Sequence, residues 1–95
     1  MRVLVVDDEP LALAYLEKLT SRISRVTSVV SFHSASDALL YLEHESVDLL
    51  LLDIEMPDIS GIEMAERVNV LYPDVLVVFV TGNRDYIMED FTSVA

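Results

Sequence analysis

Ninety-five residues, 53% hydrophobic and 24% charged, are enough for one packed domain and too few for two. The 17 acidic against 6 basic residues leave a formal charge of −11, which repels polyanions and disfavours nucleic acid as a direct partner of this segment. There is no cysteine, which excludes disulfides and thiolate chemistry and fits a reducing compartment. No stretch approaches membrane-spanning length, and the apolar run before Asp7 is too short for a signal-peptide core, so no membrane partner is expected and a cytoplasmic location is the default.

Val3, Leu4, Val5 and Val6 form a continuous apolar run that stops at Asp7, Asp8 and Glu9, the pattern of a parallel strand buried on both faces. From Pro10 the spacing of Leu13, Leu16 and Leu19 predicts a helix, with Pro10 suited to its first turn. The shorter run 26–32 reads as a second, more polar strand. From Ser36, a reasonable N-cap, a second helix carries Leu39, Leu40 and Leu42. The run 47–52, with Asp48 inside it, is a third strand ending at Asp53. A third helix is expected over 60–71 with Ile62, Ala65, Val68 and Leu71 inward, closed by Tyr72 and Pro73. The run from Val75 to Val80, ending at Thr81 and Gly82, is the fourth strand, and Gly61 and Gly82 both fall in expected loops. This β-α alternation, with connections long enough for crossover helices, predicts an α/β domain on a parallel sheet.

Right-handed crossovers put the carboxyl ends of parallel strands on one edge of the sheet, where ligands bind at a topological switch point. Asp7, Asp8, Asp53 and Thr81 all fall at that edge. If the first and third strands are neighbours, their ends lie roughly 5 Å apart and bring Asp7 or Asp8 beside Asp53. Clustered carboxylates repel unless a cation offsets the cost, and an all-oxygen set suits Mg²⁺ or Mn²⁺ better than zinc, which prefers His or Cys. Taken singly, each acid reads equally as a strand end or a helix cap, as Asp8 ahead of Pro10. His33 and His44 have no second ligand nearby and read as surface or helix-end residues. Tyr15, Tyr41, Tyr72 and Tyr86 form no stacking array and read as packing residues.

The strings Val5-Val6-Asp7-Asp8-Glu9-Pro10 and Leu51-Leu52-Asp53-Ile54-Glu55-Met56-Pro57-Asp58-Ile59-Ser60-Gly61, at this separation, closely resemble receiver domains of two-component signalling. The resemblance runs the length of the chain and implies a flavodoxin-like three-layer fold with strand order 2-1-3-4. It implies a phosphoacceptor rather than an enzyme, with Asp53 taking a phosphoryl group from a sensor histidine kinase. Mg²⁺ (or Mn²⁺) would be held by Asp7, Asp8, Asp53 and the backbone carbonyl of Glu55, and Thr81 matches the family's switch hydroxyl. Spacing alone does not say which carboxylate attacks. Without the resemblance, Thr81 before Gly82 reads as turn chemistry. Met56 and Pro57 are expected to pack and to turn the loop.

Residues 82–91 resemble the following loop and fourth helix, particularly in receivers attached to LytTR-type DNA-binding output domains. A whole receiver would continue into a fifth strand, with a lysine and a proline, and a fifth helix; the only lysine here is Lys18, in the first helix. The expectation is therefore a C-terminally incomplete receiver over 1–95, with strand 75–80 an apolar edge that drives self-association by edge pairing or element exchange. Two other readings remain: a degenerate receiver serving only as an interaction or dimerisation module, and a Mg²⁺-dependent phosphohydrolase, for which no second acid or base stands at suitable spacing.

Overall fold

A computed structural model of the protein describes residues 1–80. Its elements run β1 (Arg2–Val6), α1 (Pro10–Ser21), β2 (Ser28–Phe32), α2 (Ala35–Leu42), β3 (Leu49–Leu52), α3 (Gly61–Leu71) and β4 (Leu76–Phe79). Every strand pairing is parallel and the order is β2-β1-β3-β4, the doubly wound arrangement expected. Thr81, the residues 82–91 and the C-terminal end of the chain lie outside the described residues.

The unbroken apolar runs of β1 and β3 follow from having helices on both faces, so that both sets of alternating side chains are buried. Leu4, Val6, Leu50 and Leu52 point to one face and pack with Ala35, Ala38 and Leu42 of α2 and Met64, Ala65 and Val68 of α3. Val3 and Val5 point to the other and pack with Leu13 of α1, joined by the half-buried Val29, Leu49 and Leu51. Each fully buried aliphatic side chain contributes about 1.5–3 kcal/mol, and β1 supplies four of them in a row.

Helix phase differs from expectation in three places. Helix α2 begins at Ala35, capped by Ser34, whose Oγ accepts from the Asp37 N–H at 3.3 Å, and not by Ser36. The small Ala35 and Ala38 take the inward stripe with Leu42, which turns Leu40 outward at 59% exposure. On α3 the buried stripe is Gly61, Met64, Ala65 and Val68, one helical face at i, i+3, i+4 and i+7. Ile62 and Leu71 are 48% and 62% exposed and do not face the core. On α1, Leu13 is buried while Leu19 is 40% exposed, and Tyr15 is a surface residue rather than a packing one. Strands β2, β3 and β4 are all shorter than their apolar runs.

Ser60 caps α3 by accepting from the Glu63 N–H at 3.2 Å. Gly61, at the junction of the expected loop and helix, is the first residue of that helix, and its N–H donates to Ile54 O at 2.7 Å. A side chain there would collide with the carbonyl oxygen of Asp53 and stand 2.7 Å from Ile54 Cα. Only glycine lets the α3 start approach the end of β3 this closely.

At the amino-terminal edge of the sheet, the Arg2 N–H donates to Asp48 Oδ2 at 2.7 Å, and the Arg2 guanidinium donates to Glu45 at 3.2 Å and to the Tyr41 hydroxyl at 3.4 Å. The Tyr41 ring in turn packs on Phe32, centroids 5.4 Å apart.

Candidate functional site

The backbone ladders run one residue past the strands: between β1 and β3 the Asp53 N–H donates to Val6 O at 3.0 Å, and between β1 and β2 the Asp7 N–H donates to Phe32 O at 3.2 Å. Both aspartates thus leave the carboxyl edge at adjacent positions. Asp8 follows on the turn into α1, which is capped by Glu9 with no side-chain hydrogen bond; Asp8 therefore does not cap the helix. One carboxylate oxygen from each of Asp7, Asp8 and Asp53 can be chosen so that all lie within 4.8 Å of one another. Asp7 is buried, Asp53 half-buried and Asp8 exposed, so the cluster grades from core to solvent.

Three acids so close are electrostatically costly. Burial, and then the charges of Asp7 and Asp8, push the Asp53 carboxyl up to about 6, against the opposing donation of the Glu55 and Ile54 backbone N–H groups. Asp7 is also raised, first by burial; the Glu9 N–H, donating to its Oδ1 at 2.9 Å, pulls the other way, and the neighbouring Asp8 and Glu9 charges add to the rise. The two salt bridges among the described residues, Arg2–Glu45 and Arg67–Glu63, both lie elsewhere. An oxygen-only donor set graded toward solvent, with its charge uncompensated by any side chain among the described residues, fits a hard divalent cation that keeps several waters.

Glu55 follows Asp53 on the exposed loop, and an open cleft between Asp8, Glu55, Met56, Pro57 and Ile62 borders the cluster. Met56 and Ile59 pack back against the core, as expected for Met56, while Pro57 is exposed. His33 and His44 are both exposed and do not belong to the cluster. Two residues had no role in the sequence reading: Gly61, whose lack of a side chain admits α3 beside Asp53, and Asp58, which bonds the start of α2. No sequence signal marks the latter, because Ser34 and Ser36 stand 24 and 22 residues before it in the chain.

A doubly wound parallel sheet with three carboxylates at the β1/β3 switch point defines an α/β domain built around an acidic cation pocket. The chain belongs to the response regulator receiver domain family, whose model matches residues 3–93, and is a receiver domain of a two-component response regulator. It is 41% identical over 91 residues to the transcriptional regulatory protein NatR of Bacillus subtilis, covering 96% of this chain and 39% of that protein. It is 40% identical to the sensory transduction protein LytT of Enterococcus faecalis, covering 96% of this chain and 38% of that one. Among solved structures it resembles the response regulator TrrA of Thermotoga maritima, in complex with Mg²⁺-BeF, at TM-score 0.84 and 30% identity, over 99% of this chain and 80% of that one. The chain thus spans about two fifths of the length of these curated relatives.

Proposed function

We propose that this domain takes a phosphoryl group on Asp53 from a sensor histidine kinase, in a cytoplasmic regulator of transcription. The observation that carries the reading is the convergence of Asp7, Asp8 and Asp53 at the end of the central strands. Mg²⁺ or Mn²⁺ would be held by Asp7, Asp8, Asp53 and the Glu55 carbonyl. When bound, the cation would screen the carboxylates and stabilise charge on the phosphoryl oxygens. A carboxylate oxygen of Asp53 attacks phosphorus as the bond to the donor imidazole breaks, and the leaving nitrogen keeps the electron pair and regains a proton. Asp7, drawn inward and hydrogen-bonded to Glu9, orients the pocket and does not compete as nucleophile. Thr81, next in chain after the described part of the site, is proposed to donate its hydroxyl to a phosphoryl oxygen and draw its loop inward.

Incubation with acetyl phosphate and Mg²⁺ should give a mass increase of one phosphoryl group, absent from Asp53→Asn. Turnover of a phosphate ester without an adduct would instead support a phosphohydrolase, and neither binding nor labelling would support an interaction module. A second proposal concerns association. Among the described residues β4 forms one edge of the sheet, with Leu76 half-exposed on it, and a second copy is expected to pair along 75–80. Light scattering on a size-exclusion column checks this; a monodisperse monomer at tens of micromolar would overturn it.

A further inference from the structure

Asp58 stands on the loop between β3 and α3, outside the carboxylate cluster, and reaches across to the start of α2. Its Oδ2 accepts from Ser34 Oγ at 3.0 Å, from the Ser36 backbone N–H at 3.1 Å and from Ser36 Oγ at 3.0 Å. The Ser36 N–H is one of the donors that a helix start leaves without an internal partner, and an anion there gains from the helix dipole. The Ser36 N–H, and next the Ile59 N–H, hold the Asp58 carboxyl well below the usual carboxylate range. Ser34 ties the arrangement together, because the oxygen that donates to Asp58 also caps α2 through Asp37. Among the described residues, no other residue from 55 to 59 hydrogen-bonds a different element of the fold.

We propose that Asp58 is a positioning residue that braces the β3–α3 loop against α2 and so holds the Glu55 carbonyl and the Asp53 carboxylate where a divalent cation is received. The inference rests on the metal-site reading above. Met56 and Ile59 anchor the loop only by apolar packing, which resists separation from the core but not sliding along it. Directional hydrogen bonds to a charged acceptor fix position as well. The α3 end of the loop is pinned by the close approach of Gly61, and Asp58 pins its middle. Helix α2, which supplies no proposed ligand, thereby becomes part of the support for the site.

Mn²⁺ binding, read from the electron paramagnetic resonance signal of the free ion, tests this on the 95-residue chain and on Asp58→Ala, Asp58→Asn and Ser36→Ala. Loss of such a supporting contact should weaken Mn²⁺ binding about fivefold or more in Asp58→Ala. Asp58→Asn keeps an acceptor oxygen for the Ser36 N–H and should stay within about twofold of wild type. Ser36→Ala, which keeps the backbone donor, should fall between them, and it carries the test if circular dichroism shows Asp58→Ala unfolded. Equal losses in Asp58→Ala and Asp58→Asn would overturn the brace, because charge alone would then account for them. Unchanged affinity in all three variants would also overturn it while leaving the metal site standing. No Mn²⁺ binding by wild type would overturn both.

Discussion

The two edges of the central sheet handle charge in opposite ways. At the amino-terminal edge Arg2 is met by partners: Asp48 for its backbone N–H, and Glu45 and Tyr41 for its guanidinium. At the carboxyl edge of the same strand, Asp7 stands with Asp8 and Asp53, and among the described residues no cationic side chain is bridged to any of them. The first edge is a satisfied surface network worth little to stability. The second stores repulsion that a ligand can relieve, which is how a binding site differs from a structural one built of the same residue types.

The comparison is broken most severely by Gly61→Ala. The added methyl collides with the Asp53 carbonyl oxygen and approaches Ile54 Cα, and overpacking against backbone should cost about 3 kcal/mol. Urea denaturation would show it, together with loss of acetyl phosphate labelling. Asp53→Asn should act in the other direction, removing one of three repelling charges. In the absence of divalent cation at pH 7 the variant should be more stable than wild type by about 1 kcal/mol, a figure already reduced for solvent screening at this partly open pocket. A less stable Asp53→Asn would mean that the carboxylates are not in conflict.

The acid range sharpens the contrast further. Asp53 is raised to about 6 in the fold, whereas an unfolded aspartate titrates near 4. Between these values the folded state holds the proton more tightly. Cation-free stability should therefore fall as pH rises from about 4 to about 6, by no more than Asp53→Asn recovers, and that limb should flatten in the variant. Asp58 is lowered and contributes with the opposite sign: its stabilisation is present above about 4 and is lost as pH falls below it. Unfolding followed across pH 2–8 in chelator would resolve the two limbs. Arg2→Ala should have the smallest effect, since its side chain and that of Glu45 are substantially exposed; a shift in urea midpoint larger than that of Asp53→Asn would show the satisfied edge to be the more important one.

Much of this could be read without coordinates. Continuous apolar runs ending in acids identify doubly buried parallel strands, and Asp7, Asp8 and Asp53 follow from those ends, because the chemistry sits where strands stop. Helix phase was less legible. In α3 the small Gly61 and Ala65 and the flexible Met64 form the buried face while Ile62 turns to solvent, since packing against a crowded sheet selects for fit over hydrophobicity. The role of Asp58 was illegible for another reason. Its partners, Ser34 and Ser36, lie on the far side of β3 in the chain, and only the folded loop shows that an acid without an evident task completes the cap of a different helix.

The β1–β3 pairing also has a kinetic consequence. The two strands come together across a chain separation such as the 46 residues between Arg2 and Asp48, so the entropy of closing that loop is lost before either strand gains from the other. Until they pair, Asp7 and Asp53 share no pocket. A cation that binds only the completed pocket should therefore leave the refolding rate nearly unchanged and slow unfolding, lengthening the lifetime of the native domain without hastening its formation.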